Sequence, residues 1–256
     1  MKIFPLIVKV PFFKRLVPSL VRRVLIFTGK FNLNYNFKGI HLTLDIRDSI
    51  DRKILFNDEY EQQQLSFLYD NIKKLNISHF IDVGANIGIY SLLVANKFNN
   101  IQVNSFEPHP GVFERLKKNI DQNKLAKKIR AFRLGLSEKK GFMFIEGPKS
   151  FGINQSGGAS LQSKGNNKVD ISTGDEEISI VSKNIAIKID VEGHEINTLL
   201  GFKKIFNSNN VFLQIEIFDK NYANTISLLN EYNFKIIKKI NYDHNETTSD
   251  YYLSNF

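Results

Sequence analysis

Asp190, Glu192 and His194 stand at alternate positions directly after the apolar run Ile185 to Ile189, and Glu216 and Asp219 sit at the end of a second run, Val211 to Ile217. Carboxylates beside an imidazole suit proton transfer from a hydroxyl. An alcohol does not ionise unaided, and His194 is the side chain whose ordinary pKa fits a base near neutral pH. Asp190 or Glu216 would orient it or bind the vicinal hydroxyls of an acceptor. The same set offers hard oxygen and imidazole ligands, so Mg²⁺ or Mn²⁺ held by Asp190, Glu192, His194, Glu216 and Asp219 is a second chemistry open to it. The plainer alternative for Glu192, His194 and Glu195 is a charged helix start, where acids favour the macrodipole.

A different chemistry is written into Asp82-Val83-Gly84-Ala85-Asn86-Ile87-Gly88. Here a short buried strand runs through a glycine turn into a helix, and the free N–H groups of the helix start face whatever occupies the turn. A dinucleotide fingerprint G-x-G-x-x-G fails from Gly84, because Asn86 and Ile89 hold the later glycine positions. What fits is acid-x-G-x-G-x-G with Asn86 in the middle, and Asn tolerates a positive φ better than most residues with a side chain. Val103 to Glu107 then reads as a second strand ending in an acid. In open α/β sheets such a carboxylate takes hydrogen bonds from the ribose of a bound cofactor, which makes Glu107 the expected ribose ligand.

Elements that position these residues follow from periodicity. Ser91 to Lys97 completes one crossover helix, and Pro110 to Asn119 opens another with proline in its first turn. Ala131 to Ser137 reads as a third strand with its loop, and Gly141 to Ile145 as an added strand. Ile185 to Asp190, apolar enough to be buried on both faces, is the fourth, and Val211 to Ile217 the fifth. Phe234 to Ile240 and Tyr251 to Leu253 supply two more, joined by the polar loop Asn241 to Asp250. From Gly147 to Gly165 the chain is rich in Gly, Ser and Asn, and is expected to be a mobile cover over an acceptor pocket. Asp58 to Lys74 carries Leu65, Leu68, Ile72 and Leu75 at helical spacing. Ahead of it, alternation in Phe31 to Phe37 and Ile40 to Ile46 about Lys38-Gly39 predicts a β-hairpin packed at the edge of the nucleotide fold.

These stretches resemble a known family. The strings FIDVGANIGIYSL, SFEPHPGVFERLKKNI, RLGLSEKKG and above all IKIDVEGHEINTLLG followed by LQIEIF are similar to the FkbM family of S-adenosylmethionine (SAM) methyltransferases, over roughly Tyr60 to Phe218. The resemblance implies a Rossmann-like α/β fold: a seven-stranded, mostly parallel sheet with helices on both faces, the last strand antiparallel, preceded by a β-hairpin and a basic helical arm. It implies SAM contacts from Asp82, Gly84, Ala85, Asn86, Gly88, Tyr90, Ser91, Glu107, Pro108 and Asp190, with Gly135, Leu136 and Ser137 beside the adenine. Tyr60-Glu61 resembles a pair seen at this point in the family, although Glu61 equally suits a first-turn dipole position. The activity implied is O-methylation of a sugar hydroxyl on a bacterial surface polysaccharide, capsule or lipopolysaccharide, or on its nucleotide-linked precursor.

Charge and composition set the outer limits. The chain has 256 residues, no cysteine, and therefore neither disulfides nor thiolate metal sites. Of 35 Lys and Arg, eight precede Asp45, the first of 26 acids, so the remainder is close to neutral. Two domains are expected: 1–57, a basic amphipathic arm and hairpin, and 58–256, the methyltransferase. The arm's uncharged runs are short and broken by Pro5, Pro11 and Pro18, which excludes a spanning helix and a secretory signal. A helix from Lys14 to Phe27 puts Val17, Leu20, Val21 and Val24 on one side and Arg15 and Arg22 on the other. That stripe packs on the body or on a second subunit, giving a homodimer, or lies on the inner membrane through residues 1–30. The protein is accordingly expected in the cytoplasm, soluble or peripheral to the membrane. No nucleic-acid partner is expected, given the neutral body and the lack of an Asn/Asp-Pro-Pro-aromatic motif. A nucleic-acid or other small-molecule methyltransferase, or a non-catalytic scaffold, are the competing readings.

Overall fold

The computed structural model describes residues 13–150, 153–241 and 247–256. The first prolines of the arm and most of the loop between the last two strands lie outside these residues. Seven strands form the main sheet: β1 (His79–Val83), β2 (Gln102–Phe106), β3 (Ile129–Phe132), β4 (Asn184–Ile189), β5 (Asn210–Phe218), β6 (Lys235–Asn241) and β7 (Thr248–Ser254). Their order is β6-β7-β5-β4-β1-β2-β3, with β7 antiparallel to both its neighbours and the other pairings parallel. This is the Rossmann-like arrangement expected. The chain winds outward from β1 to β3 and restarts at β4 on the other side of β1, so a crevice opens between β1 and β4 at the carboxyl ends of the strands.

Alternation along the strands explains why both faces are covered. Phe80, Ala186, Phe212 and Tyr252 face the helices Gln62–Lys74, Ile89–Lys97 and Pro110–Gln122. Ile81, Ile187, Leu213 and Ile215 face Leu199, Phe206 and Leu229 of the helices Glu195–Leu200, Lys203–Ser208 and Tyr222–Glu231. Each of the larger of these side chains contributes about 1.5–3 kcal/mol through removal from water.

Several expectations change. The hairpin forms from Asn32–Phe37 and Ile40–Asp45, its turn closed by Lys38 at φ 46° and Gly39 at φ 89°. It does not lie at the edge of the sheet. Phe37, Ile40 and Leu42 are fully buried and require broad apolar cover, which they find with the helices Ile89–Lys97 and Pro110–Gln122. Thr43 N–H donates to Asn119 Oδ1 at 2.8 Å and His41 N–H to Asn123 Oδ1 at 2.7 Å, so the hairpin's free edge is satisfied by a helix. The helix expected from Asp58 to Lys74 is Gln62–Lys74, and another precedes it at Ser49–Asn57, capped by Asp48, whose Oδ1 accepts from Ile50 N–H at 3.0 Å. Asp58 and Glu61, both left-handed, break the two apart.

The expected third strand, Ala131 to Ser137, is also divided. Pairing with β2 ends at Phe132, and Gly135–Leu136 pairs instead with Ile171 and Ser172 in a second, four-stranded sheet that includes Gly141–Glu146 and Ser160–Gln162. The stretch 147–165 is not structureless. Gln155 is buried, its Oε1 accepts from Ser49 N–H at 2.9 Å, and Ser156 N–H donates to Asp48 Oδ2 at 2.7 Å. Its polar composition is answered by polar docking on the start of helix Ser49–Asn57, which the composition alone does not reveal.

Candidate active site

Two adjoining cavities open at the carboxyl ends of the central strands. The first is walled by the glycine turn, Phe106, Glu107 and Pro108, by Leu134, Gly135 and Leu136, and by Gly157, Ala159 and Leu161. The second is a wider groove of about 1630 Å³ with Lys53, Glu61, Glu216 and Asn241 in its walls. Ile50, Tyr60, Asp190 and Glu192 line both and so form the partition between them.

Backbone geometry shapes the first cavity. Gly84 has φ 79°, and a Cβ there would lie 1.9 Å from Asp190 O, so the tips of β1 and β4 approach too closely for any side chain. Asn86 takes φ 51°, the positive value expected of the residue replacing glycine. Its N–H donates to Glu107 Oε2 at 3.0 Å while His109 N–H donates to Oε1 at 2.8 Å. Two backbone donors thus fix the Glu107 carboxylate at the cavity wall, and burial pushes its pKa up to about 7. Asp82 is held from the other side, accepting from Ser91 N–H at 3.1 Å and Ser91 Oγ at 2.6 Å. Ser91 lies behind the cavity, its hydroxyl shared between Asp82 and Ser105. Tyr90, Ala85 and Pro108 line the cavity.

A buried polar row runs behind the partition. Strand register sets Ser105, Asp82, Lys188, Gln214 and Tyr252 level across β2, β1, β4, β5 and β7. Lys188 is 4 % exposed. Its Nζ lies 2.8 Å from Asp190 Oδ2 and 4.7 Å from the centre of the Tyr90 ring. Burial works against its charge, but Asp190, Glu61 and Asp82 outweigh burial and raise its pKa. Gln214 Nε2 donates to the Tyr90 hydroxyl at 3.2 Å, and Tyr90 donates to Glu61 Oε2 at 2.6 Å. Burial raises Glu61 to about 7, and the residue also lines the wider groove.

At the partition, carboxylate oxygens of Asp190, Glu192 and Glu216 lie within 4.8 Å of one another. Glu192, left-handed at φ 53°, accepts from Gly158 N–H at 2.8 Å through Oε1. Burial and then the charge of Asp190 raise its pKa, and the same influences, with Glu192 and Asp250 added, push Glu216 up to about 9. His194 does not join this group. The chain turns sharply through Glu192 and Gly193, both at positive φ, with Gly193 N–H closed onto Glu195 Oε1 at 2.7 Å. That turn directs His194 away, to Ser137, whose Oγ is 2.9 Å from His194 Nε2. His194 is buried, burial lowers its pKa, and neither it nor Ser137 lines either cavity. Asp219 is exposed in a short 3₁₀ turn after β5, outside the carboxylate group.

The site therefore contains residues that motif reading passes over, chiefly Lys188 and Leu134. Lys188 did leave a signal, because a lysine inside a strand buried on both faces requires a carboxylate partner.

A mostly parallel sheet with a glycine turn and an acid on neighbouring strand tips, facing a cavity at the switch point, defines a Rossmann-like fold. Residues 82–236 match the methyltransferase FkbM domain, and the chain belongs to that family of methyltransferases. It is 35% identical over 138 residues to the hexuronic acid methyltransferase AglP of Haloferax volcanii, covering 53% of this chain and 54% of that protein. It is 26% identical over 144 residues to the methyltransferase sdnD of Sordaria araneosa, covering 55% and 54%. The chain thus spans about half the length of these curated relatives. A solved FkbM methyltransferase from Methylobacillus flagellatus aligns with a TM-score of 0.48 at 15% identity, over 70% of this chain and 44% of that one.

Proposed function

We propose that the chain transfers a methyl group from SAM to a hydroxyl of a sugar, within a bacterial surface polysaccharide or its nucleotide-linked precursor. The observation that carries this reading is the partition: Asp190 and Glu192 face the cavity beside the glycine turn on one side and the wider groove on the other. The first cavity fits SAM. Glu107 offers a fixed carboxylate for ribose hydroxyls, and Phe106, Val112, Leu136 and Leu161 give an apolar slot for a purine. Gly135 leaves that slot open, since a Cβ there would stand 3.0 Å from Leu161 Cδ1.

Bound there, SAM supplies an activated methyl that the acceptor oxygen takes up as the carbon–sulfur bond breaks. Alignment across the partition removes most of the entropic barrier. The hydroxyl proton goes to Glu192, whose burial makes it more basic than a solvated carboxylate. Asp190, paired with Lys188, accepts a hydrogen bond from a neighbouring hydroxyl, and Glu216, protonated at neutral pH, donates one. His194 has no part in this reading, because it lies away from both cavities. A sugar acceptor is supported by the hexuronic acid methyltransferase activity of the Haloferax volcanii relative and by the amides of Gln63, Gln64, Asn57 and Asn241 in the groove.

A second reading of the same carboxylates is favoured by their 4.8 Å clustering: Asp190, Glu192 and Glu216 would hold Mg²⁺ or Mn²⁺ against two sugar oxygens. Incubation with SAM and a panel of neutral, uronic and nucleotide-linked sugars, read by mass spectrometry for an added methyl, tests the function. Unchanged turnover after exhaustive EDTA treatment removes the metal.

A further inference from the structure

We infer that the helix Phe13–Phe27 is a docking element for an anionic lipid surface. Its two sides do different things. Val21, Leu25 and Ile26 pack against the main buried cluster, the one that takes in the hairpin and Ile50, so this side holds the helix to the body. Leu16, Leu20, Val24 and Phe27 remain outside, 47%, 59%, 55% and 91% exposed. At 3.6 residues per turn these four fall within about 80° of arc, one continuous apolar ridge pointing away from the packed side. Of the expected stripe, Val21 packs on the body while Leu20 and Val24 stay outside.

Charge identifies the occupant. Exposed Arg23 flanks the ridge and exposed Lys30 follows the helix, and the sequence before Asp45 holds eight basic residues and no acid. A second copy docked ridge to ridge would bring two such like-charged sets together, at a cost. An anionic bilayer surface instead complements both features: the ridge enters the headgroup boundary while Lys and Arg remain among the phosphates. No described helix is long and apolar enough to cross a membrane, so the contact is parallel to the surface. Arg22 of this helix lies near enough to Arg52 for its charge to add to burial in lowering the Arg52 pKa. Ile50 and Lys53, on that same helix Ser49–Asn57, line the acceptor groove. The groove therefore opens one helix away from the lipid.

The test uses the full chain and does not depend on methyl transfer. Cosedimentation is measured with vesicles of phosphatidylcholine alone and with a third of the lipid replaced by phosphatidylglycerol. The chain is expected to bind the anionic vesicles, with L20E/V24E/F27E lowering that affinity about tenfold or more while thermal unfolding stays unchanged. A conservative L20A/V24A/F27A variant should give an intermediate loss. Wild-type protein that ignores anionic vesicles overturns the inference, as does a triple-Glu variant that binds them undiminished. So does conversion of a dimer to a monomer by that variant in sedimentation velocity without any vesicle binding by the wild type. Loss of methyl transfer on sugars, with vesicle binding retained, would count against the proposed activity alone.

Discussion

Lys188 Nζ and Asp190 Oδ2 are 2.8 Å apart at the end of β4, and Asp82 stands level with Lys188 on β1. Replacing Lys188 with Met preserves the shape of the stem but leaves Asp82, Glu61 and Asp190 without the cation that offsets their burial. The variant should lose about 3–5 kcal/mol of stability in urea unfolding, the usual consequence of removing one member of a buried ion pair. A loss below about 1 kcal/mol would mean that the carboxylates are relieved by protonation instead.

The glycine turn and the ribose ligand separate two kinds of damage. Gly84→Ala forces a Cβ to within 1.9 Å of Asp190 O at a φ of 79°, so the strand tips must part and SAM binding should disappear in calorimetry. Glu107→Gln keeps the size of the side chain, but half of its acceptor capacity for N–H and hydroxyl donors becomes a donor. Its SAM affinity should fall by about tenfold to a hundredfold, corresponding to one charge-assisted hydrogen bond, with the fold intact.

pH should act in opposite directions on folding and on cofactor binding. Burial raises Glu61 and Glu107 from 4.5 to about 7 in the folded chain. A carboxyl with a raised folded pKa favours folding fully below its unfolded pKa, and that contribution is lost as pH rises from about 4.5 towards about 7. Stability of the ligand-free protein should therefore decline across this window, and E61Q/E107Q should flatten the decline. SAM affinity should rise through the same upper limit, because ribose hydroxyls donate to the ionised Glu107. Calorimetry from pH 5.5 to 8.5 in wild type and E107Q, in ~0.5-unit steps, decides the matter: a slope that persists in the variant removes Glu107 from the linkage.

The carboxylates and the histidine should part company in kinetics. Glu192→Gln is expected to lower kcat by about 10²–10⁴ with little change in SAM affinity, as for loss of a general base. His194→Gln should keep kcat within about tenfold, its effect being a stability loss of about 0.5–1.5 kcal/mol from the Ser137 hydrogen bond. The reverse ranking would restore His194 as the base.

The sheet and its glycine turn were legible because alternation, the acid-x-G pattern and Glu107 are local signals, and Asn86 at positive φ and Glu107 beside its N–H are where those signals pointed. The hairpin's partner was not legible. Thr43 reaches Asn119 across the sequence, and no local pattern records which apolar surface a hairpin will share. Asp190, Glu192 and His194 illustrate the same limit at the site. Spacing puts all three at a strand end, but the direction of the last one depends on two consecutive positive φ values at Glu192 and Gly193, which residue types alone did not announce. Lys188 is the one charge inside the run Ile185 to Ile189, and only the fold brings Asp190, Glu61 and Asp82 to bear on it.

Between Phe132 and Gly135 the backbone leaves the large sheet for the small one, and Leu134 on that passage lines the first cavity. The roof and the floor of the cavity consequently belong to different sheets. Gly158, bonded to Glu192, acts as a tie across the gap at the far side. A purine seated between Phe106 and Leu161 would therefore touch both sheets at once, bridging the gap from the side opposite that tie.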